Sequence, residues 1–231
     1  MQSQINTLFL LIVLLFSKVA VAHHNSVIFN RPTDSPQASY ALALLSLAYK
    51  ELNYEIHLID FSRQNALLAA NNGVLDGQLG RDISIEAENK NLIRVNYVLF
   101  DYKLMLFKNC QPNTLNMLQN VAILSGYPVQ QHYLESTHFK GKVIEVKNIS
   151  TQLNLLAQKK VEGAIMLDFV LPKANLELPE TCMQKQLLNT FSLYHYIHKK
   201  HAELAPKLLA ALKKLNNNGT TQALRAKYNL H

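Results

Sequence analysis

The sequence predicts an α/β protein built as two similar lobes, on three observations. Short apolar runs of strand character alternate with stretches whose apolar residues recur every three or four positions. At Val121 that alternation starts again. No long disordered linker interrupts the chain, so two successive βαβ-type blocks belong to one protein, although no sequence repeat accompanies them.

The elements follow in order. Val27-Ile28-Phe29 is a short strand ended by Arg31-Pro32. Ser35-Pro36 opens a helix, since Pro is tolerated at the first helical position, and Ala41, Leu44, Leu45, Ala48 and Leu52 share one of its faces. Residues 54–61 alternate as a strand, Ser62 caps a second helix, and Asn72-Gly73 stops it. Residues 74–79 read as a third strand and 92–107 as a long extended stretch.

In the second block, residues 121–124 are a strand, Ser125-Gly126-Tyr127-Pro128 a turn and 129–135 a helix. A strand over 143–146 precedes a helix capped by Ser150 and running through Lys159, and 161–167 return as a strand. Residues 187–197 are extended. The stretch 203–215 is amphipathic, with Leu204, Leu208, Leu212 and Leu215 aligned; Gly219 ends it, and Thr221 caps a last short helix to Tyr228.

The first residues set the expected compartment. Residues 8–16 (LFLLIVLLF) are an unbroken apolar run, too short for the roughly 20 residues a membrane span needs. Ala20-Val21-Ala22 then supplies the small residues of a signal-peptidase site, so residues 1–22 read as a cleaved leader and His23 as the mature start. No lipobox Cys follows the run, which makes a lipid anchor unexpected. Outside the cytoplasm, Cys110 and Cys182 read as a disulfide. Neither sits in a CxxC pattern, so redox and zinc chemistry are not indicated.

The net charge of +7 is spread along the chain, and no Lys/Arg-rich block with interleaved aromatics marks a nucleic-acid groove. His195, His198 and His201 recur every third residue, but a step of three alternates faces on a strand, so no metal site is expected. There is no GxSxG, P-loop, HExxH or Gly-rich dinucleotide fingerprint, and no cofactor is expected.

In α/β sheets the ligand site lies outside the carboxyl ends of the strands. The residues just past the strands are therefore the informative ones: Arg31 and Asp34; Arg81, Asp82 and Ser84; Ser125 to Tyr127; and Asp168. An Arg on one lobe and a carboxylate on the other suit a small polar, zwitterionic or anionic solute. Each residue also has a plainer reading. Arg81 either clamps a ligand or bridges Asp76 or Asp82, Arg31 and Asp34 either face the ligand or pair with each other, Asp168 either meets an ammonium or caps a helix, and Tyr127 either touches the ligand or is turn material before Pro128.

Three pieces in this order carry a family resemblance: Gly73-Val74-Leu75-Asp76-Gly77; residues 156–168, a helix end, a Gly entering a strand and Asp168 beyond it; and Ala202-Glu203-Leu204-Ala205 through Leu212, Leu215, Gly219 and Lys227-Tyr228. From about residue 26 to the end the chain resembles the bacterial extracellular solute-binding protein family 3, the type 2 periplasmic binding proteins typified by amino-acid receptors.

The resemblance implies two lobes joined by a double-crossover hinge, with crossings near Phe107 and Tyr194. Lobe 1 is then residues 23–106 with 195–231 and lobe 2 residues 107–194, each with a sheet, closing on a ligand. It implies a periplasmic monomer that binds a small molecule for a membrane transporter or sensor, does no chemistry and binds no nucleic acid. The family's site residues map unevenly. Ser84 stands at the second position of a Ser-x-Ser segment, but the carboxylate-binding Arg position falls near Asn89, and a Gly-Thr is replaced by Gly126-Tyr127. Asp168 matches the carboxylate that meets the ligand ammonium, and Arg81 replaces the missing Arg, because a guanidinium fork pairs with carboxylate or phosphate. Two other readings stay open: a dehydratase-like enzyme on the same scaffold, with Glu86, Glu88 or Asp168 as acid or base, and a ligand-free interaction protein.

Overall fold

The computed structural model describes residues 25–109, 114–170 and 183–230; the leader, the His23-His24 start and the Cys110–Cys182 pairing lie outside them. A parallel pair, β1 (Asn25–Asn30) and β2 (Tyr54–Ile59), stands beside a six-stranded sheet. That sheet comprises β3 (Gly77–Arg81), β4 (Leu92–Asn109), β5 (Asn120–Leu124), β6 (Lys142–Val146), β7 (Gly163–Leu167) and β8 (Met183–His198), in the order β3-β8-β4-β7-β5-β6. The helices are α1 (Pro36–Glu51), α2 (Arg63–Asn71), α3 (Pro128–Ser136), α4 (Ile149–Ala157), α5 (Leu204–Asn217) and α6 (Thr220–Lys227), with a 3₁₀ turn over Ile83–Ala87.

The separate sheet expected in each lobe is replaced by one sheet that runs through both ends of the molecule. The reason is strand length. β4, of 18 residues, pairs antiparallel with β8, of 16, from Leu92 opposite His198 to Asn109 opposite Met183. At one end β8 carries β3, with Arg81 opposite Tyr194; at the other β4 carries β7, over Leu104 to Lys108. Between these ends Phe100 to Lys103 and Thr190 to Leu193 pair only with each other among the described residues. Register shifts at Val95/Val98 and Val98/Phe100 on one side of this two-stranded ribbon, and at Leu104/Met105 on the other, flank it, and such bulges bend and twist a strand.

Side chains alternate across the sheet and feed cores on both faces. Tyr196 packs with Ala66, Ala69 and Ala70 of α2, while Ile197 on the opposite face joins Leu44 and Leu45 of α1 and Leu208 and Leu212 of α5. At the other end Ala164 and Met166 of β7 meet Leu156 of α4, and Ile165 and Leu167 turn to the main core. The aligned leucines Leu204, Leu208, Leu212 and Leu215 are all buried, as their spacing requires.

Three local expectations shift. Residues 74–76 are not strand: the N–H groups of Val74 and Leu75 fold back onto the Ala69 carbonyl to finish α2, and β3 starts at Gly77. Helix α4 is capped by Asn148, whose side chain accepts the Thr151 N–H at 2.8 Å, rather than by Ser150. Helix α6 starts at Thr220 directly after Gly219, whose φ of 84° makes the sharp turn from α5, and Thr221 is buried inside the helix.

Asp76 joins the parallel pair to the rest. Its N–H donates to the Ile28 carbonyl (2.8 Å), and its carboxylate accepts the Ile28 N–H (2.6 Å) together with Lys200 Nζ and His201 Nε2, each at 2.7 Å. Burial pushes this carboxylate up, but the hydrogen bonds from Lys200, Ile28 and His201 outweigh it and hold the pKa below the ordinary value. A depressed folded-state pKa contributes stability above the unfolded value of about 4 that is lost as pH falls through the folded one. Asp76→Asn should therefore cost about 1–3 kcal/mol in urea unfolding at neutral pH. The gap from the unsubstituted protein should narrow as pH drops below about 4; an equal gap at all pH values would refute the assignment.

Candidate binding site

A cavity of ≈ 320 Å³ opens where the ends of β1, β2 and β3 face α3 and the end of β7. Arg31, Asp34, Arg81 and Tyr127, four of the six ligand residues expected from sequence, line it; Ser84 and Asp168 do not. Leu167 and Phe169 both border the cavity, and Asp168, between them, is exposed, with its N–H bonded to the Lys103 carbonyl at 3.0 Å. It opens a turn and caps no helix. Ser84 lies in the 3₁₀ turn, where its N–H donates to Asp82 Oδ1 at 2.8 Å.

Arg81 stands at the centre. Its position at the end of β3 carries the side chain inward, and it forms no ion pair with a described carboxylate. Nε donates to Gln78 Oε1 (3.0 Å), one terminal nitrogen to the Gly126 carbonyl (3.1 Å), and the other reaches the Arg63 carbonyl at 3.5 Å. Both bridges expected from sequence are absent: Asp76 belongs to Ile28, Lys200 and His201, and Asp82 Oδ2 accepts the Tyr102 hydroxyl at 2.9 Å. Burial and then the neighbouring Arg63 guanidinium pull the Arg81 pKa down, against smaller upward pulls from Tyr127, Asp82 and Tyr102.

Arg31 is likewise not paired with Asp34. It forms an exposed ion pair with Asp60 at 2.9 Å, leaving Asp34 exposed on the cavity wall. Asn89, near the family's Arg position, is buried and donates to the Ile85 carbonyl.

Arg63, at the first turn of α2, is the residue the sequence reading missed. Its guanidinium lies 4.2 Å from the Tyr127 ring centroid and donates to Thr33 Oγ1 at 2.6 Å. The strand-end rule, applied to the end of β2, would have found it. Gly126 makes the contact possible: its φ is +80°, and a Cβ there would fall 2.9 Å from Arg63 Cγ. Burial raises the Tyr127 hydroxyl pKa, with Arg63 and Arg81 pulling the other way.

The rest of the wall is aromatic and aliphatic. Phe169 meets Phe100, Tyr102 and Tyr127 edge-on or tilted, with centroids 5.3–6.3 Å apart. Burial and Asp82 raise the Tyr102 hydroxyl pKa strongly, so it stays a donor. Beyond the Arg63–Tyr127 contact lies a second cleft of ≈ 330 Å³, bordered by Glu88, His132, Glu135 and Glu145. Glu86 accepts from Tyr196 and pairs with Arg94, away from the cavity.

The three histidines do not converge. His195 is buried against Phe29 and bonded to the Tyr49 hydroxyl at 2.9 Å, and burial lowers its pKa to about 4. His198 Nδ1 accepts the Lys200 N–H, and His201 meets Asp76.

No family model matches the chain, and no curated protein matches it by sequence. Solved structures share its fold. The GluR0 ligand-binding core from Nostoc punctiforme in complex with L-glutamate superposes with a TM-score of 0.69 at 19% identity, over 89% of this chain and 100% of that one. A putative L-cystine ABC transporter protein from Listeria monocytogenes gives 0.69 at 17%, over 88% and 95%. An ancestral amino acid-binding protein, precursor of cyclohexadienyl dehydratase, gives 0.68 at 14%, over 88% and 95%. The chain therefore has the two-lobed α/β fold of the type 2 binding proteins.

Arg81 is half-buried and its three hydrogen bonds go to neutral oxygens, so their gain is set against the cost of desolvating an unpaired cation, and an apolar replacement is close to neutral. Arg81→Met should leave the melting temperature of the ligand-free protein unchanged or raise it in calorimetry. A loss of more than about 2 kcal/mol would make Arg81 a structural residue.

Proposed function

We propose that this protein is a solute-binding protein that captures a small anionic or zwitterionic solute between its two lobes. The observation that carries this reading is Arg81: a guanidinium deep in the molecule, bonded to neutral oxygens alone among the described residues, facing a cavity at the small end of the about 300–1,000 Å³ range of ligand pockets. Arg63 and Tyr127, in contact with each other, stand beside it, and Arg31 and Asp34 form the rim.

The division into lobes over residues 23–106 with 195–231 and over 107–194 belongs to the same proposal. We place the bending between them in the ribbon of Phe100 to Lys103 and Thr190 to Leu193, which has the fewest sheet partners. The leader expected over residues 1–22 supports a periplasmic location, and the neighbours named as amino acid ABC transporter proteins support a membrane transporter as the partner, with a sensor as the alternative. Binding without chemistry is favoured over a dehydratase-like activity because Glu86, Glu88 and Asp168, the acids or bases expected for that chemistry, do not line the cavity, and Asp82, which does, is held by Ser84 and Tyr102.

A thermal-shift screen of the chain without its leader tests the reading, against amino acids, polyamines, organic acids and sugar acids. A true ligand at a hundred times its Kd adds about 2.7 kcal/mol, several degrees for a protein of this size. An acid or zwitterion should produce that shift in the unsubstituted protein and none in Arg81→Met. A panel without any shift would defeat the proposal.

A further inference from the structure

We infer that the solute of this site is a carboxylate with an apolar body and no ammonium group. The inference rests on the solute-binding reading above and narrows it.

The cavity is polarised. At one end stand two guanidinium groups, Arg81 and Arg63. A guanidinium has five N–H donors, and the three hydrogen bonds that Arg81 makes leave two for a ligand. That fork suits a carboxylate, which accepts two parallel bonds. The rest of the lining carries apolar side chains, Ala41, Leu79, Phe100, Phe169, Val170 and Leu193 among them, beside the uncharged polar groups of Asn30, Ser35 and Gln37. A ligand filling that space gains by burying hydrocarbon or an aromatic ring against them.

An α-amino acid would need a carboxylate for its ammonium. Among the described residues the cavity holds two. Asp82 is buried and already accepts twice, from the Ser84 N–H at 2.8 Å and the Tyr102 hydroxyl at 2.9 Å. Asp34 is exposed at the rim, where water weakens any ion pair. Asp168, the family's expected ammonium partner, is outside the cavity. An ammonium taken into this site would therefore lose its hydration beside two fixed cations, with Asp82, already shared with Ser84 and Tyr102, as the one buried carboxylate to offset them. The same solute without its nitrogen avoids that loss and keeps every other contact.

Calorimetric titration of the leaderless chain with matched pairs separates the cases. Hydrocinnamate and L-phenylalanine differ by the ammonium alone, as do isocaproate and L-leucine, and acetate supplies the head without the body. The deaminated acid of a pair should bind at least about tenfold tighter than its amino acid, and acetate more weakly than either acid. Arg81→Met should abolish hydrocinnamate binding, and Arg63→Gln should weaken it. An amino acid that binds as tightly as its deaminated partner, acetate as tight as hydrocinnamate, or binding confined to other members of the screened panel would each overturn this inference while the solute-binding reading stands. If neither these compounds nor any member of that panel binds, the solute-binding reading itself fails and this one with it.

Discussion

Strands β4 and β8 pair from Leu92 opposite His198 to Asn109 opposite Met183, and every other strand of the six-stranded sheet reaches the molecule through one of them. β3 hangs on the His198 end of β8, and β7, with β5 and β6 behind it, on the Asn109 end of β4. The chain thus passes twice between its two ends in the same antiparallel ribbon. Between the ends, Phe100 to Lys103 and Thr190 to Leu193 pair only with each other among the described residues, and the register shifts beside them add local twist. The C-terminal helices fix one side of this arrangement: Arg225 of α6 donates to the Leu99 carbonyl at 2.9 Å, within the Val98/Phe100 register shift of β4.

The cavity follows from that constraint. Because the ribbon brings the end of β3 opposite the turn after β5, Arg81 can reach the Gly126 carbonyl, 45 residues away in sequence. Arg63 does the same from α2, its guanidinium lying over Tyr127. Those contacts are modest individually: hydrogen bonds to neutral carbonyls and one partly exposed cation–π pair. Two like charges held close together have no reason to persist for stability alone, and a bound anion would relieve them. The same residues thereby join the two halves weakly and leave charge available for a solute, the behaviour expected where a site is maintained at some expense of stability.

Much of this was legible in the sequence. The leucines 204, 208, 212 and 215, the caps Ser35 and Ser62, and the long extended stretches that became β4 and β8 all follow from local periodicity and capping chemistry. The strand-end rule placed Arg31, Asp34, Arg81 and Tyr127 on the cavity. What failed was non-local or a matter of one residue. Asp168 lies between two cavity-lining residues but opens the turn after β7, where it is exposed and outside the cavity lining, and turn geometry of that kind is not readable from the strand pattern. Asp82 is taken up by Tyr102, twenty residues on, and Arg31 by Asp60, pairings that need the sheet register to be known. A single continuous sheet also could not be told from two, because strand length is readable while strand partners are not.

The central claim is that Arg81 is unpaired within the protein because its partner is the solute's anion. A crystal structure of the leaderless chain with the compound that most raises its melting temperature tests this directly. The account predicts the ligand's acidic group within hydrogen-bonding distance of the Arg81 guanidinium, in the space between Arg63, Tyr127 and Phe169. A ligand bound elsewhere, with Arg81 still held only by Gln78, Gly126 and Arg63, would contradict it.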